Sequence, residues 1–89
     1  MRYKRTPEFR EDFDALPEKI KEKVKKAFEL FQQDDHHPSL HTKKIKGTTD
    51  IFEGRIDRKY RFTFHYEEDA VVFRKIGPHR VVDEEAENN

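Results

Sequence analysis

Residues 59–66 read Lys-Tyr-Arg-Phe-Thr-Phe-His-Tyr, and their alternation decides the fold. In an extended chain successive side chains point to opposite faces. Tyr60, Phe62, Phe64 and Tyr66 therefore share one face, while Arg61, Thr63 and His65 share the other. The aromatic face has to meet helices; the polar face is where Arg61 projects, together with a subset of Lys44, Lys46, Arg55 and Arg74. The same period of two predicts strands over Leu40 to Lys46, Asp50 to Asp57, Lys59 to Tyr66 and Ala70 to Ile76, separated by Gly47-Thr-Thr, Asp57-Arg-Lys and Glu67-Glu-Asp. Connections this short imply an antiparallel meander.

Toward the N-terminus the period becomes helical. Thr6-Pro7 reads as an N-cap followed by proline at the first helical position. Phe9, Phe13 and Leu16 then fall at i, i+4 and i+7, and Pro17 ends that stripe and opens a second helix running to about Gln33. Ile20, Val24, Ala27, Phe28 and Phe31 form its apolar face. Lys19, Lys21, Lys23, Lys25 and Lys26 mostly fill the rest, the pattern of a solvated helix surface. Met1 to Arg5 reads as a short edge strand. The expected fold is α+β: an N-terminal strand, a two-helix hairpin, then a four-stranded antiparallel meander, in the order β-α-α-β-β-β-β.

The chain has 89 residues, enough for one hydrophobic core, expected over residues 1–82. Eight Phe and three Tyr supply most of the burial in a sequence that is 43% charged. With no cysteine, disulfides, thiolate metal sites and a cysteine nucleophile are excluded. No apolar run approaches the roughly 20 residues that span a bilayer, and the first fifteen residues are charged throughout, unlike a signal peptide. A cytoplasmic location is expected.

Formal net charge is zero, but it is unevenly spread. Asp83, Glu84, Glu85 and Glu87 lie in the last seven residues, so residues 1–82 hold 19 basic against 15 acidic side chains. Between His36 and Arg61, Lys43, Lys44, Lys46, Arg55, Arg58, Lys59 and Arg61 face only Asp50, Glu53 and Asp57, which gives a local basic field. Residues 83–89 read as an acidic, mobile tail.

Asp34-Asp-His-His-Pro-Ser-Leu-His draws the eye as a metal site, but adjacent histidines before a proline diverge, and a helix exit is the simpler reading. No phosphate-binding glycine loop, nucleophile elbow or glycosidase carboxylate pair is present. What remains is a set of cations and one histidine. Metal-independent cleavage of RNA by its own 2′-hydroxyl requires a base, cations for the charge at phosphorus, and an acid for the leaving oxygen. Arg61, Arg55 and Lys44 or Lys46 can supply the charge, and His79, in Ile76-Gly-Pro-His, can transfer the proton. The bland alternatives are a surface histidine in a Gly-Pro turn and a sheet arginine paired with Glu53 or Asp57.

The order Phe9-Arg-Glu-Asp-Phe, Leu16-Pro, His37-Pro-Ser-Leu, Lys44-Ile-Lys-Gly, Arg55-Ile, Tyr60-Arg-Phe and Phe73-Arg-Lys-Ile-Gly-Pro-His79 resembles the RelE/ParE toxins of type II toxin–antitoxin systems over nearly the whole chain. The resemblance implies a toxin neutralised by a cognate antitoxin. In the RelE branch it implies a ribosome-associated, metal-free messenger-RNA endonuclease that needs no cofactor. It would place catalytic roles on Arg61, His79, Arg55 and Lys46, and RNA contacts on Lys43, Lys44, Lys46, Arg58, Arg74 and Arg80. The ParE branch, directed at DNA gyrase, is the alternative. It is favoured by Val81-Val82 and an acidic end where many RNase members carry a tyrosine. A plain RNA-binding module fits least, because the aromatic residues share the core face.

Overall fold

The computed structural model describes residues 1–87. Strand β1 (Arg2–Arg5) leads into helices α1 (Pro7–Asp14) and α2 (Glu18–Gln33). A 3-10 turn at Pro38–Leu40 precedes strands β2 (Lys43–Lys44), β3 (Phe52–Arg55), β4 (Tyr60–Glu67) and β5 (Ala70–Pro78), and helix α3 (Arg80–Glu87) follows. The strands form one sheet in the order β1-β5-β4-β3-β2.

The local reasons are those of the sequence. The Thr6 hydroxyl accepts from the Phe9 amide at 3.0 Å and donates to the Arg74 carbonyl at 2.9 Å, so one side chain caps α1 and ties it to β5. Pro7 occupies the first turn, where no amide is needed. The α1–α2 connection is only Ala15-Leu16-Pro17, with Leu16 buried. Phe62 and Phe64 are fully buried and meet Phe28, Phe31 and Phe73. Phe28 stacks on Phe73 with ring centroids 4.5 Å apart, and Phe31 meets Phe64 edge-on at 5.0 Å. Each ring contributes roughly 1.5–3 kcal/mol by burial. Tyr66, at the edge of this core, donates to Asp35 at the exit of α2, and burial together with that carboxylate raises its hydroxyl above its ordinary value.

The α+β class and the alternation in β4 are as expected; four features differ. The sheet is mixed, because β1 runs parallel to β5, pairing Arg2 with Ala70 and Arg5 with Phe73. The strand expected from Leu40 shortens to Lys43–Lys44, since Leu40 turns inward at 1% exposure within the 3-10 turn. A register shift at Thr63/Phe64 gives β5 one extra residue, Arg74, opposite β4.

The fourth difference is the C-terminus. Residues 83–87 are not a mobile tail but part of α3, which lies against the polar face of the sheet; Asn88 and Asn89 of that expectation lie outside the described residues. Val81 and Val82 join Ile45 and Ile51 in a second small core. Glu85, only 2% exposed, is the helix's polar anchor. Its carboxylate accepts from the Thr63 hydroxyl at 2.7 Å and from Arg74 through Nε at 2.8 Å and Nη2 at 3.2 Å. Arg74 also reaches His65 Nδ1 at 3.0 Å. The carboxylate is buried because it is fully hydrogen-bonded there.

Candidate nucleic-acid site

Where α3 does not cover the polar face, the sheet opens into a pocket of about 420 Å³ lined by His41, Thr42, Lys43, Glu53, Arg55, Arg61 and His79. Its floor is set by register. Arg55 and Arg61 are direct cross-strand partners, and Gly77 stands opposite Arg61 on the other side. Lys43 pairs with Glu53 at the β2 edge, while Lys44 pairs with Phe52 and so falls on the opposite face. His79 enters immediately after β5 ends at Pro78.

Arg61 is buried on the polar face, not against the helices. Its Nη1 donates to the carbonyls of Asp57 at 2.6 Å and Tyr60 at 3.0 Å, with Arg58 at 3.3 Å, and its Nε stands 4.0 Å from Glu53 Oε1. Burial, then the neighbouring Arg55 charge, pulls its guanidinium below the ordinary value, with Glu53 and Asp57 acting in the opposite direction. The Arg61 guanidinium is held by backbone carbonyls beside one carboxylate, and Arg55 is its cross-strand partner. Arg55 Nε is buried and has no hydrogen-bond partner among the described residues. An orphaned cationic donor beside a second arginine is a position where an anion lowers the free energy.

Asp57 shapes the loop beneath. Its carboxylate accepts from the Lys59 and Tyr60 amides, each at 2.9 Å, and from Lys23 Nζ at 3.0 Å. Desolvation pushes its pKa up, but these donors outweigh it, and the net shift is downward.

Of the residues singled out in the sequence, Arg61, Arg55, His79 and Lys43 converge here. The others stand elsewhere. Lys44 and Lys46 are exposed, with Lys46 beyond the end of β2; Arg58 and Arg80 are exposed; and Arg74 is committed to Glu85. None of these five lines the pocket. His41, which in the sequence stands out only as the end of the Asp34–His41 cluster, lies in the left-handed turn after Leu40 and lines the pocket. Glu53 lines the pocket as Arg61's acidic neighbour. In the Asp34–His41 segment, Asp34 accepts from the His36 amide, His37 Nδ1 from the Ser39 amide, and His36 Nδ1 lies 3.1 Å from Thr42 Oγ1. These are turn-forming bonds. Among the described residues no group of three or more His, Asp or Glu gathers to hold a metal ion, and no helix is long and apolar enough to cross a membrane.

RelE from Methanococcus jannaschii, solved in an antitoxin–toxin complex with RelB, superposes with a TM-score of 0.71 at 22% identity, covering 90% of this chain and 94% of that one. This chain has the RelE fold. A YoeB/ParE toxin from Agrobacterium tumefaciens gives 0.75 at 14% identity, over 89% of this chain and 99% of that one. YafQ from E. coli gives 0.76 at 9% identity, over 92% and 98%. No protein-family model matches the sequence, and no curated protein is significantly similar to it. The RelE-like frame is thus conserved in space at identities too low to carry individual residues across.

Proposed function

We propose that the protein is the toxin of a type II toxin–antitoxin pair and that it cleaves messenger RNA on the ribosome without a metal. The observation that carries this reading is the pocket itself: Arg55, whose buried Nε has no partner among the described residues, beside Arg61, with His79 in the lining. The arginines fit a phosphodiester, whose charge rises as the 2′-oxygen attacks. An imidazole can move the proton near neutral pH. The fold shared with RelE, YoeB and YafQ supports the toxin assignment, and the RelB–RelE complex supports an antitoxin as its partner.

The test is cleavage of a message bound to ribosomes, with the new ends analysed. A 2′,3′-cyclic phosphate and a 5′-hydroxyl are the products of attack by the 2′-oxygen; intact message refutes the nuclease reading. The second reading, a gyrase-directed or non-catalytic toxin, draws on Val81 and Val82. They are buried in α3 and present no hydroxyl to the pocket. Inhibition of gyrase supercoiling together with uncut message would establish it.

A further inference from the structure

The pocket has a second histidine, and the backbone holds it there under strain. His41 adopts φ 48 and ψ 44, the one non-glycine residue with positive φ among those described. Glycine is the residue that takes this conformation without steric cost. The reason for the conformation is local. Leu40 is pulled into the core at 1% exposure, and the His41 amide still reaches back to the Pro38 carbonyl. Two residues later Lys43 must enter the sheet opposite Glu53. The left-handed residue makes that corner, and His41 there lines the pocket. Strained non-glycine residues concentrate at functional sites because the side chain is needed where the backbone is unfavourable.

We propose that His41 is a second proton-transfer residue, acting opposite His79 on a phosphodiester held by Arg55 and Arg61. The inference rests on the nuclease reading and names a catalytic residue for it. One imidazole, neutral, takes the proton of the RNA 2′-hydroxyl. The 2′-oxygen forms a bond to phosphorus, and the bond from phosphorus to the 5′-oxygen breaks. The other imidazole, protonated, gives its proton to that departing oxygen. The product is a 2′,3′-cyclic phosphate, no net proton is lost, and the two histidines end in exchanged protonation states. The charged and titratable groups that line the pocket with His41 are Lys43, Glu53, Arg55, Arg61 and His79. Glu53 is the competing base, but it is buried and its carboxylate faces Arg61.

The experiment compares message cleavage across pH for the full chain and for His41→Asn, His41→Gly, His79→Gln and Glu53→Gln, with thermal melting of each. Asparagine tolerates the left-handed conformation and glycine relieves it, so neither variant should melt below the parent. Both should cleave about 10²–10³-fold more slowly. The histidine-41 variants should lose one limb of the pH–rate profile and His79→Gln the opposite limb. Parental rates in both histidine-41 variants overturn the proposal, as does loss of the same limb by Glu53→Gln alone. A fall in rate accompanied by a fall in melting temperature in both variants returns His41 to the fold and also overturns it. A parent that leaves the message intact overturns the nuclease reading and this one together, whereas a cleaving parent with cleaving variants overturns this one alone.

Discussion

Replacing Glu85 with alanine tests whether α3 is part of the folded structure or an appendage. The substitution removes three hydrogen bonds to a buried carboxylate. Thr63 is fully buried and cannot turn to water, so its hydroxyl is stranded at a cost of about 1–3 kcal/mol. The Arg74 side chain is 33% exposed and regains solvent, so its loss lies well below the 3–5 kcal/mol of a fully buried pair. About 2–3 kcal/mol in total is the expected penalty, which in a domain this small lowers Tm by on the order of 10–20 °C. If α3 detaches without global unfolding, its amides exchange early while those of β4 stay protected. Thermal melting and hydrogen exchange on the purified chain read both outcomes. A variant that melts within about 2 °C of the parent, with α3 amides still protected, refutes the reasoning.

Other outcomes follow from the same geometry. Arg61→Ala should lower message cleavage about 10²–10³-fold, the scale of one lost transition-state donor, and Arg55→Gln should weaken RNA binding with a shallower salt dependence; unchanged values remove either residue from the site. Gly54→Ala should destabilise by about 1–3 kcal/mol, because its new Cβ would lie 2.2 Å from the immobile Phe62 ring, and urea titration measures this. Asp57 has a folded pKa below its unfolded value, so its contribution is present above the unfolded pKa and disappears as pH falls through the folded one. Asp57→Asn should therefore be less stable than the parent at neutral pH and converge on it in acid, as melting across pH will show.

The residues that revealed the core were those whose partners lie close in the chain. Alternation from Tyr60 to Tyr66 placed Arg61, Thr63 and His65 together, and Arg55 falls beside Arg61 because the β3–β4 connection is short. Long-range features left weaker traces. Val81, Val82, Glu85 and Ala86 form a helical stripe, but its central member is a glutamate whose partners, Thr63 and Arg74, lie 22 and 11 residues away. Read locally, that stripe is an acidic tail. The parallel pairing of β1 with β5 has no signature in either segment alone. His41 was hidden by period, since alternation through Leu40 to Lys46 gives no sign of a residue that turns the chain left-handed.

The pairing of β1 with β5 also bears on the order of synthesis. Arg2 to Arg5 are made well before their hydrogen-bonding neighbours, Ala70 to Phe73, and α1 is capped onto the Arg74 carbonyl. Contacts so distant in sequence form late, because the intervening chain must be closed before they stabilise anything. His79 follows β5 directly, and α3 with its Glu85 anchor comes after it. A nascent chain thus carries Arg55 and Arg61 with neither the strand that flanks them nor the histidine that completes their pocket. Assembly of the pocket therefore waits on β5 and the residues that follow it, so the two arginines are made well before the surface that encloses them.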